Sequence, residues 1–273
     1  MTHWHTGICE TNNINIHYTR TGGDKPPLML LHGLMTNGLC WTGLAHTLEK
    51  EYDVIMPDAR GHGKSGVPDY GYQYEDHAND VAGLIKALRL SPPILLGHSM
   101  GGMTAAVVAG RKPNLLSGLV LADPTFLSPK VQREVRDSDV ADQHRKVLNM
   151  SLEEIMAEAR TRHPNRSSET IELFARARLQ TSMGAFDVLT PPNPDYRQLV
   201  INIDIPSLLV FGDRGVVSSV VAEELQRLNA RLQVEQIREA GHSLHMDQPE
   251  RFATTVKNFL GSIDTMIEPS THW

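Results

Sequence analysis

An apolar run, Pro93-Ile94-Leu95-Leu96, leads into Gly97-His98-Ser99-Met100-Gly101 and then into the alanine-rich stretch 103–109. A buried strand, a turn with glycine on both sides of a serine, and a helix together make a nucleophile elbow. The turn is so sharp that side chains at positions 97 and 101 would collide, so glycine fits both. Ser99 is expected in a strained conformation at the helix N-terminus, its oxygen outward, where the helix dipole favours developing negative charge. G-x-S-x-G alone also arises in plain turns; the flanking strand and helix give it its meaning. Ser99 is therefore the candidate nucleophile.

The rest of the chain repeats the strand-then-helix rhythm. Ile14-Asn15-Ile16-His17-Tyr18 alternates like a half-exposed strand, with Asn12-Asn13 as a hairpin turn before it. Pro27-Leu28-Met29-Leu30-Leu31 and Asp53-Val54-Ile55-Met56 read as strands buried on both faces. Helices are expected over 39–48 and over 74–90, where Val81, Leu84, Ile85 and Leu88 recur at helical spacing. A strand over 116–121 ends at Ala122-Asp123-Pro124. From 128 to 194 no strand-like run occurs. Ser151 and Glu154 form a capping box there. A second helix is expected over 168–183, with Leu173, Phe174, Ala177 and Leu179 inward, and Pro191-Pro192-Asn193-Pro194 closes the insertion. Alternation then resumes: strand 206–211, helix 218–228, strand 232–237 and a closing helix over 247–259. Asp247 and Glu250 are expected to cap that last helix, with Pro249 in its first turn. Such alternation predicts a mainly parallel, doubly wound α/β sheet. The tail 267–273 is expected to fray.

Composition removes several classes of function. The chain has 273 residues, 40% of them hydrophobic and 21% charged, which suits a globular protein with a sizeable core. Its formal charge of −6, with no Lys/Arg cluster, argues against nucleic acid. Cys9 and Cys40 make no disulfide framework. Met1-Thr2-His3-Trp4-His5 lacks the basic segment and apolar core of a signal peptide, and no apolar run could span a bilayer. A cytoplasmic location and no membrane partner are expected. With no G-x-G-x-x-G run and no P-loop lysine, no cofactor is implied.

Three more pieces belong with Ser99. His32-Gly33-Leu34 ends a buried strand, so the Leu34 N–H lies at the carboxyl edge of the sheet. With the Met100 N–H it could hold an oxyanion; an ordinary strand-to-loop turn is the plainer alternative. A base is expected after the last strand, where His242 and His245 stand. His242 is favoured, being nearer the strand end and following Gly241; His245 is assigned to packing or the pocket wall. His242, His245 and Asp247 make a weak metal site, and none is expected.

His32-Gly33, the stretch from Asp58 to Ser65, Gly97 to Gly101 and Gly241-His242 resemble, in order and spacing, the α/β-hydrolase superfamily. The resemblance covers nearly the whole chain. It implies an α/β-hydrolase fold: an eight-stranded sheet formed by 1–127 and 195–273, with 128–194 as a helical cap. It makes the loop 58–65 structural and gives Arg60 and His62 no catalytic part. Gly33, Trp41, His98 and Phe126 are expected along the substrate pocket, though plain core packing suits Trp41 as well. Members usually carry the triad acid a few residues beyond the strand that here ends at Phe211, which falls on Gly215; Asp213 is two residues early. A minority, including haloalkane dehalogenases and hydrolases of the lactone zearalenone, place it after the preceding strand, at Asp123 here. Neighbouring strand ends are about 5 Å apart, so Asp123 can still reach the same imidazole. Asp123 is favoured; Asp213, or no working acid at all, stays open. What the resemblance implies is a serine hydrolase of a small-molecule ester or lactone. The alternatives are a hydrolase of carbon–carbon bonds in ring-fission products and a small-molecule receptor. Ser99 excludes the aspartate-nucleophile chemistry of epoxide hydrolases and dehalogenases. No charged residues flank the motifs, so a strongly ionic substrate is not expected. A homodimer is left open.

Overall fold

A computed structural model of the chain describes residues 4–112 and 114–267, with side chains through Ile263. Asn12 and Asn13 have φ of 49° and 62°, the left-handed pair that a tight hairpin turn needs. They join β1 (His5–Thr11) to β2 (Ile14–Arg20). The remaining strands are β3 (Pro27–Leu31), β4 (Asp53–Pro57), β5 (Ile94–His98), β6 (Gly118–Ala122), β7 (Ser207–Arg214) and β8 (Leu232–Gly241). All eight form one sheet in the order β1-β2-β4-β3-β5-β6-β7-β8. β1 and β2 run antiparallel to their neighbours, and every pair from β4 to β8 is parallel.

The helices are α1 (Thr42–Leu48), α2 (Tyr74–Ala87), α3 (Met100–Arg111), α4 (Pro129–Arg136), α5 (Val140–Val147), α6 (Leu152–Arg162), α7 (Ser168–Leu179), α8 (Tyr196–Ile201), α9 (Ser219–Leu228), α10 (Leu244–Asp247) and α11 (Pro249–Ile267). Helices cover both faces of the sheet, which is why β3, β4, β5 and β6 are buried along their whole length, while the edge strand β8 carries exposed polar residues. Leu28 and Leu30 enter one core with Trp41, Leu48, Phe252 and Val256. Met29 and Leu31, pointing the other way, join Val81, Leu84, Met103 and Val107. Each such side chain contributes about 1.5–3 kcal/mol by leaving water.

The insertion between β6 and β7 holds α4 to α7, a 3₁₀ stretch (Met183–Leu189) and α8, and no strand among the described residues. The Ser151–Glu154 capping box forms at the start of α6. A small core of Val147, Ile155 and Ala175 ties α5, α6 and α7 together. The sequence shows no sign of α4 and α5 because each has eight residues and a mostly exposed surface. α7 stops at Leu179, and the Ser182 N–H returns the chain to the Gly61 carbonyl at 2.8 Å. On α7 Ala177 is buried as expected, while Leu173, Phe174 and Leu179 are only half-buried.

Other boundaries shift for local reasons. The helix expected over 39–48 begins as a 3₁₀ turn, Gly38–Trp41. α2 ends before 90 because Arg89 turns left-handed, at φ 51°. The capping box expected from Asp247 and Glu250 is not made. Asp247 ends α10 and its carboxylate accepts the Gly241 N–H instead, so Gln248 precedes the first turn of α11. The tail expected to fray lies outside the described residues beyond Ile267. No described helix is long and apolar enough to cross a membrane.

Candidate active site

Ser99 stands between β5 and α3 with φ 54° and ψ −118°, backbone that a serine adopts only when its surroundings force it. The flanking glycines clear backbone rather than each other. A Cβ on Gly97 would meet the Gly101 carbonyl oxygen at 2.2 Å, and one on Gly101 would meet the Leu31 and His32 oxygens at 2.4 and 2.6 Å. The collision expected between side chains at 97 and 101 is thus two separate collisions with main chain. The Ser99 N–H donates to the Ala122 carbonyl at 3.1 Å, tying the elbow to the end of β6.

Asp123 follows Ala122 and is fully buried. Its φ of 41° turns the carboxylate across to the neighbouring strand end. There it accepts the Val216 N–H at 2.8 Å, the Val217 N–H at 2.9 Å and His242 Nδ1–H at 2.6 Å. Gly215 makes the room: a Cβ there would lie 2.6 Å from Asp123 Oδ1. The position where the superfamily usually carries its acid is therefore the space into which Asp123 reaches. Asp213 is exposed and engaged elsewhere, accepting the Glu239 and Ala240 N–H groups at 3.0 Å each. Those two N–H groups, led by Glu239, hold its carboxyl below the usual range.

A carboxylate only accepts, so His242 carries its proton on Nδ1 and presents a bare Nε2. That nitrogen lies 2.9 Å from Ser99 Oγ. His242 is held at its main chain as well. His98 Nε2–H donates to the His242 carbonyl at 2.7 Å, and the preceding Gly241 N–H donates to Asp247 at 2.9 Å. Burial pushes His98 well below its ordinary value, and His245 down to about 3, so both stay neutral beside His242. His245 does what was expected of it, packing on Trp41 and His98 and facing the cavity.

Ser99 and His242 open onto a cavity of about 610 Å³. Gly33, Leu34, His98 and Met100 line it. Met100 is the first residue of α3, so its N–H has no acceptor within the helix. Two pocket expectations need correcting. Trp41 is core, 2% exposed, with His245 and Phe252 at 4.7 and 6.3 Å, and it borders a different cavity behind α1 and α11. Phe126 is buried against Tyr196, ring centroids 4.8 Å apart. Thr125 and Leu127 line the cavity instead, because alternate residues of this non-helical segment face opposite ways. The far wall comes from the insertion: Gln132, Val135, His163, Phe174, Arg178 and Asn193 among others. Of these the sequence points to Phe174 as an inward residue of a helix and to Asn193 as part of the proline-rich close, and to none as pocket lining.

The loop 58–65 is built as scaffold. Asp58 accepts from His17 Nδ1, the Gly38 N–H and the Lys64 N–H at 2.8–2.9 Å, and Arg60 pairs with buried Asp80. His62 is buried and neutral, pushed well down mainly by burial. Among the described residues no His, Cys, Asp and Glu side chains gather as a metal site.

The strand order, the elbow and the histidine after β8 form one pattern, and the model of the alpha/beta hydrolase fold family matches residues 26–249. The chain belongs to the α/β-hydrolase fold family. It is similar to 2-(acetamidomethylene)succinate hydrolase of Mesorhizobium japonicum, 28% identical over 88% of this chain and 90% of that one. It is similar also to N-formylmaleamate deformylase of Pseudomonas putida, 28% identical over 93% and 96% of the two chains. Among solved structures, a thermophilic esterase from Thermogutta terrifontis superposes with a TM-score of 0.77 at 27% identity, covering 95% of this chain and 99% of that one. As a member of the α/β-hydrolase fold family, the chain is a hydrolase.

Proposed function

We propose that this α/β hydrolase cleaves a carboxylic ester or lactone through a covalent acyl-serine. One observation carries the reading: the unbroken chain of contacts from Ser99 Oγ to His242 Nε2 at 2.9 Å and from His242 Nδ1 to Asp123 Oδ2 at 2.6 Å. Ser99 Oγ attacks the carbonyl carbon while His242 Nε2 takes its proton, and Asp123 holds the imidazole in the required tautomer. The Leu34 and Met100 N–H groups receive the oxyanion, and the N-terminal end of α3 adds its dipole. Collapse expels the alcohol oxygen, which leaves with the proton from His242. A water then adds to the acyl carbon. Its proton passes through His242 to Ser99 Oγ as the acid departs. The insertion 128–194 serves as the cap, excluding water and choosing the substrate.

The same triad can serve a carbon–carbon bond, where His242 would deliver its proton to carbon. The relatives named for 2-(acetamidomethylene)succinate and N-formylmaleamate keep the bond type wider than oxygen esters. Hydrolysis of 4-nitrophenyl butyrate by the wild type beside Ser99→Ala tests the ester reading. Turnover that disappears in the variant supports it; turnover that persists, or a folded wild type inert to such esters, overturns it.

A further inference from the structure

The cavity shared by Ser99 and His242 carries an unmatched positive charge on its insertion wall. Arg178, on α7, lines it, and among the described residues no aspartate or glutamate does, in a chain that holds 32 acidic residues. The Arg178 Nε atom is buried without a hydrogen-bond partner, and among the described residues no ion pair includes this side chain. Helix geometry explains the isolation. Arg176 on the same helix has Glu172 four residues back and pairs with it at 2.6 Å. Four residues back from Arg178 stands Phe174, which lines the cavity too. Glu158, whose charge Arg178 feels, is already bound to Arg162 at 2.6 Å, and Arg162 repels Arg178. Asn193, also on this wall, has a buried Oδ1 without a partner.

A guanidinium left unpaired in an apolar cavity is costly, whereas its planar fork matches a carboxylate. We propose that the substrate carries a carboxylate away from its scissile acyl group, and that Arg178 binds it. This rests on Ser99 being the nucleophile of the same cavity, and it replaces the expectation of a non-ionic substrate. The two terminal nitrogens of Arg178 donate to the two carboxylate oxygens, since Nε itself is buried. The anchored end then fixes which acyl carbon faces Ser99, making Arg178 a specificity residue rather than a participant in bond cleavage.

The test pairs turnover with binding. Wild type, Arg178→Met and Arg178→Lys are assayed on 4-nitrophenyl hemiglutarate, which carries a carboxylate, and on neutral 4-nitrophenyl valerate. Free glutarate is titrated calorimetrically into wild type, Ser99→Ala and Arg178→Met. Arg178→Met should lose about 10- to 100-fold in kcat/KM on the hemiglutarate alone, chiefly in KM, with partial recovery in Arg178→Lys. Glutarate should bind wild type and Ser99→Ala but not Arg178→Met. Removing a half-buried, unpaired charge should leave Tm unchanged or raised, whereas a structural arginine would lower it. Equal losses on both esters, or valerate turnover with no glutarate binding, overturn the proposal while the ester reading stands. Arg178-dependent glutarate binding without turnover of either ester upholds the carboxylate site and overturns the ester reading. Neither binding nor turnover by folded protein overturns both.

Discussion

The sheet edge and the insertion close one cavity from opposite sides, and they treat their polar groups in opposite ways. At the edge the proposed triad is held by hydrogen bonds before any ligand arrives. Asp123 accepts three hydrogen bonds, and the His242 main chain is anchored through His98 and Asp247. On the insertion wall Arg178 Nε and Asn193 Oδ1 are buried and unpaired. The edge has its geometry fixed in advance, as charge stabilisation in a reaction requires. The wall leaves polar groups without partners in the protein. The proposed chemistry and the proposed selectivity thus fall to separate elements, and each can be disturbed without the other.

The largest effect should come from the edge. Ser99→Ala should lower kcat/KM on nitrophenyl esters by about 10⁴-fold while leaving the thermal midpoint in place, since the side chain's bond is to His242 alone. Steady-state kinetics beside a melting curve checks both halves. A variant within tenfold of wild type would break the assignment of chemistry to the elbow.

The two acids come next. Asp123→Asn should cost about 10³- to 10⁴-fold in kcat, because an amide can favour the wrong tautomer of His242. It should also lower stability by about 1–3 kcal/mol, because its NH₂ would face the Val216 or Val217 N–H group and leave that donor unsatisfied. Asp213→Asn, exposed and engaged with β8 main chain and Arg214 rather than with His242, should change kcat by no more than about twofold. The opposite ranking in a side-by-side assay would move the triad acid to β7.

How much of this was legible in the sequence follows from how local each feature is. The elbow lies within five consecutive residues, and its strand and helix announce themselves by period, so Ser99 could be read directly. His242 needed only its place after the last strand. Asp123 could be favoured from the missing acid at Gly215, but its holders, the Val216 and Val217 N–H groups, are main chain and leave no mark on residue identity. Arg178 was overlooked because its partners are defined by absence. Its one trace is the contrast with Arg176, which has an acid one turn back where Arg178 has Phe174. Trp41 and Phe126 were misplaced because aromatic residues near a pocket and in a core look alike until the direction of each side chain is fixed.

Gly215 offers a sharper probe than either acid, since it adds a methyl group and removes nothing. In Gly215→Ala the new Cβ would sit 2.6 Å from Asp123 Oδ1 and force the carboxylate off its main-chain donors. A drop in kcat of about 10- to 100-fold is expected, with KM nearly unchanged because the insertion wall is untouched. If Gly215→Ala instead raised KM and spared kcat, the division of labour between edge and wall would fail.

The smallest effect is one of stability and concerns the sheet side. Burial, with the like charge of Arg60 second, pushes His77 on α2 down to about 3. Above its unfolded value near 6.5 the histidine is neutral folded and unfolded, and it contributes no pH dependence. Below 6.5 the unfolded chain gains a proton that folded His77 refuses, so stability falls as pH drops towards about 3. The slope for this one residue is about 1.4 kcal/mol per pH unit. His32, His62 and His98, lowered by burial in the same way, add to it in the same direction. Urea unfolding at pH 7, 6 and 5 should therefore show a midpoint that recedes with acid. His77→Gln should make that recession shallower, since glutamine cannot gain the proton in the unfolded chain. Parallel lines for the two proteins would mean that His77 does titrate in the folded state, and that the sheet side is less sealed than its packing implies.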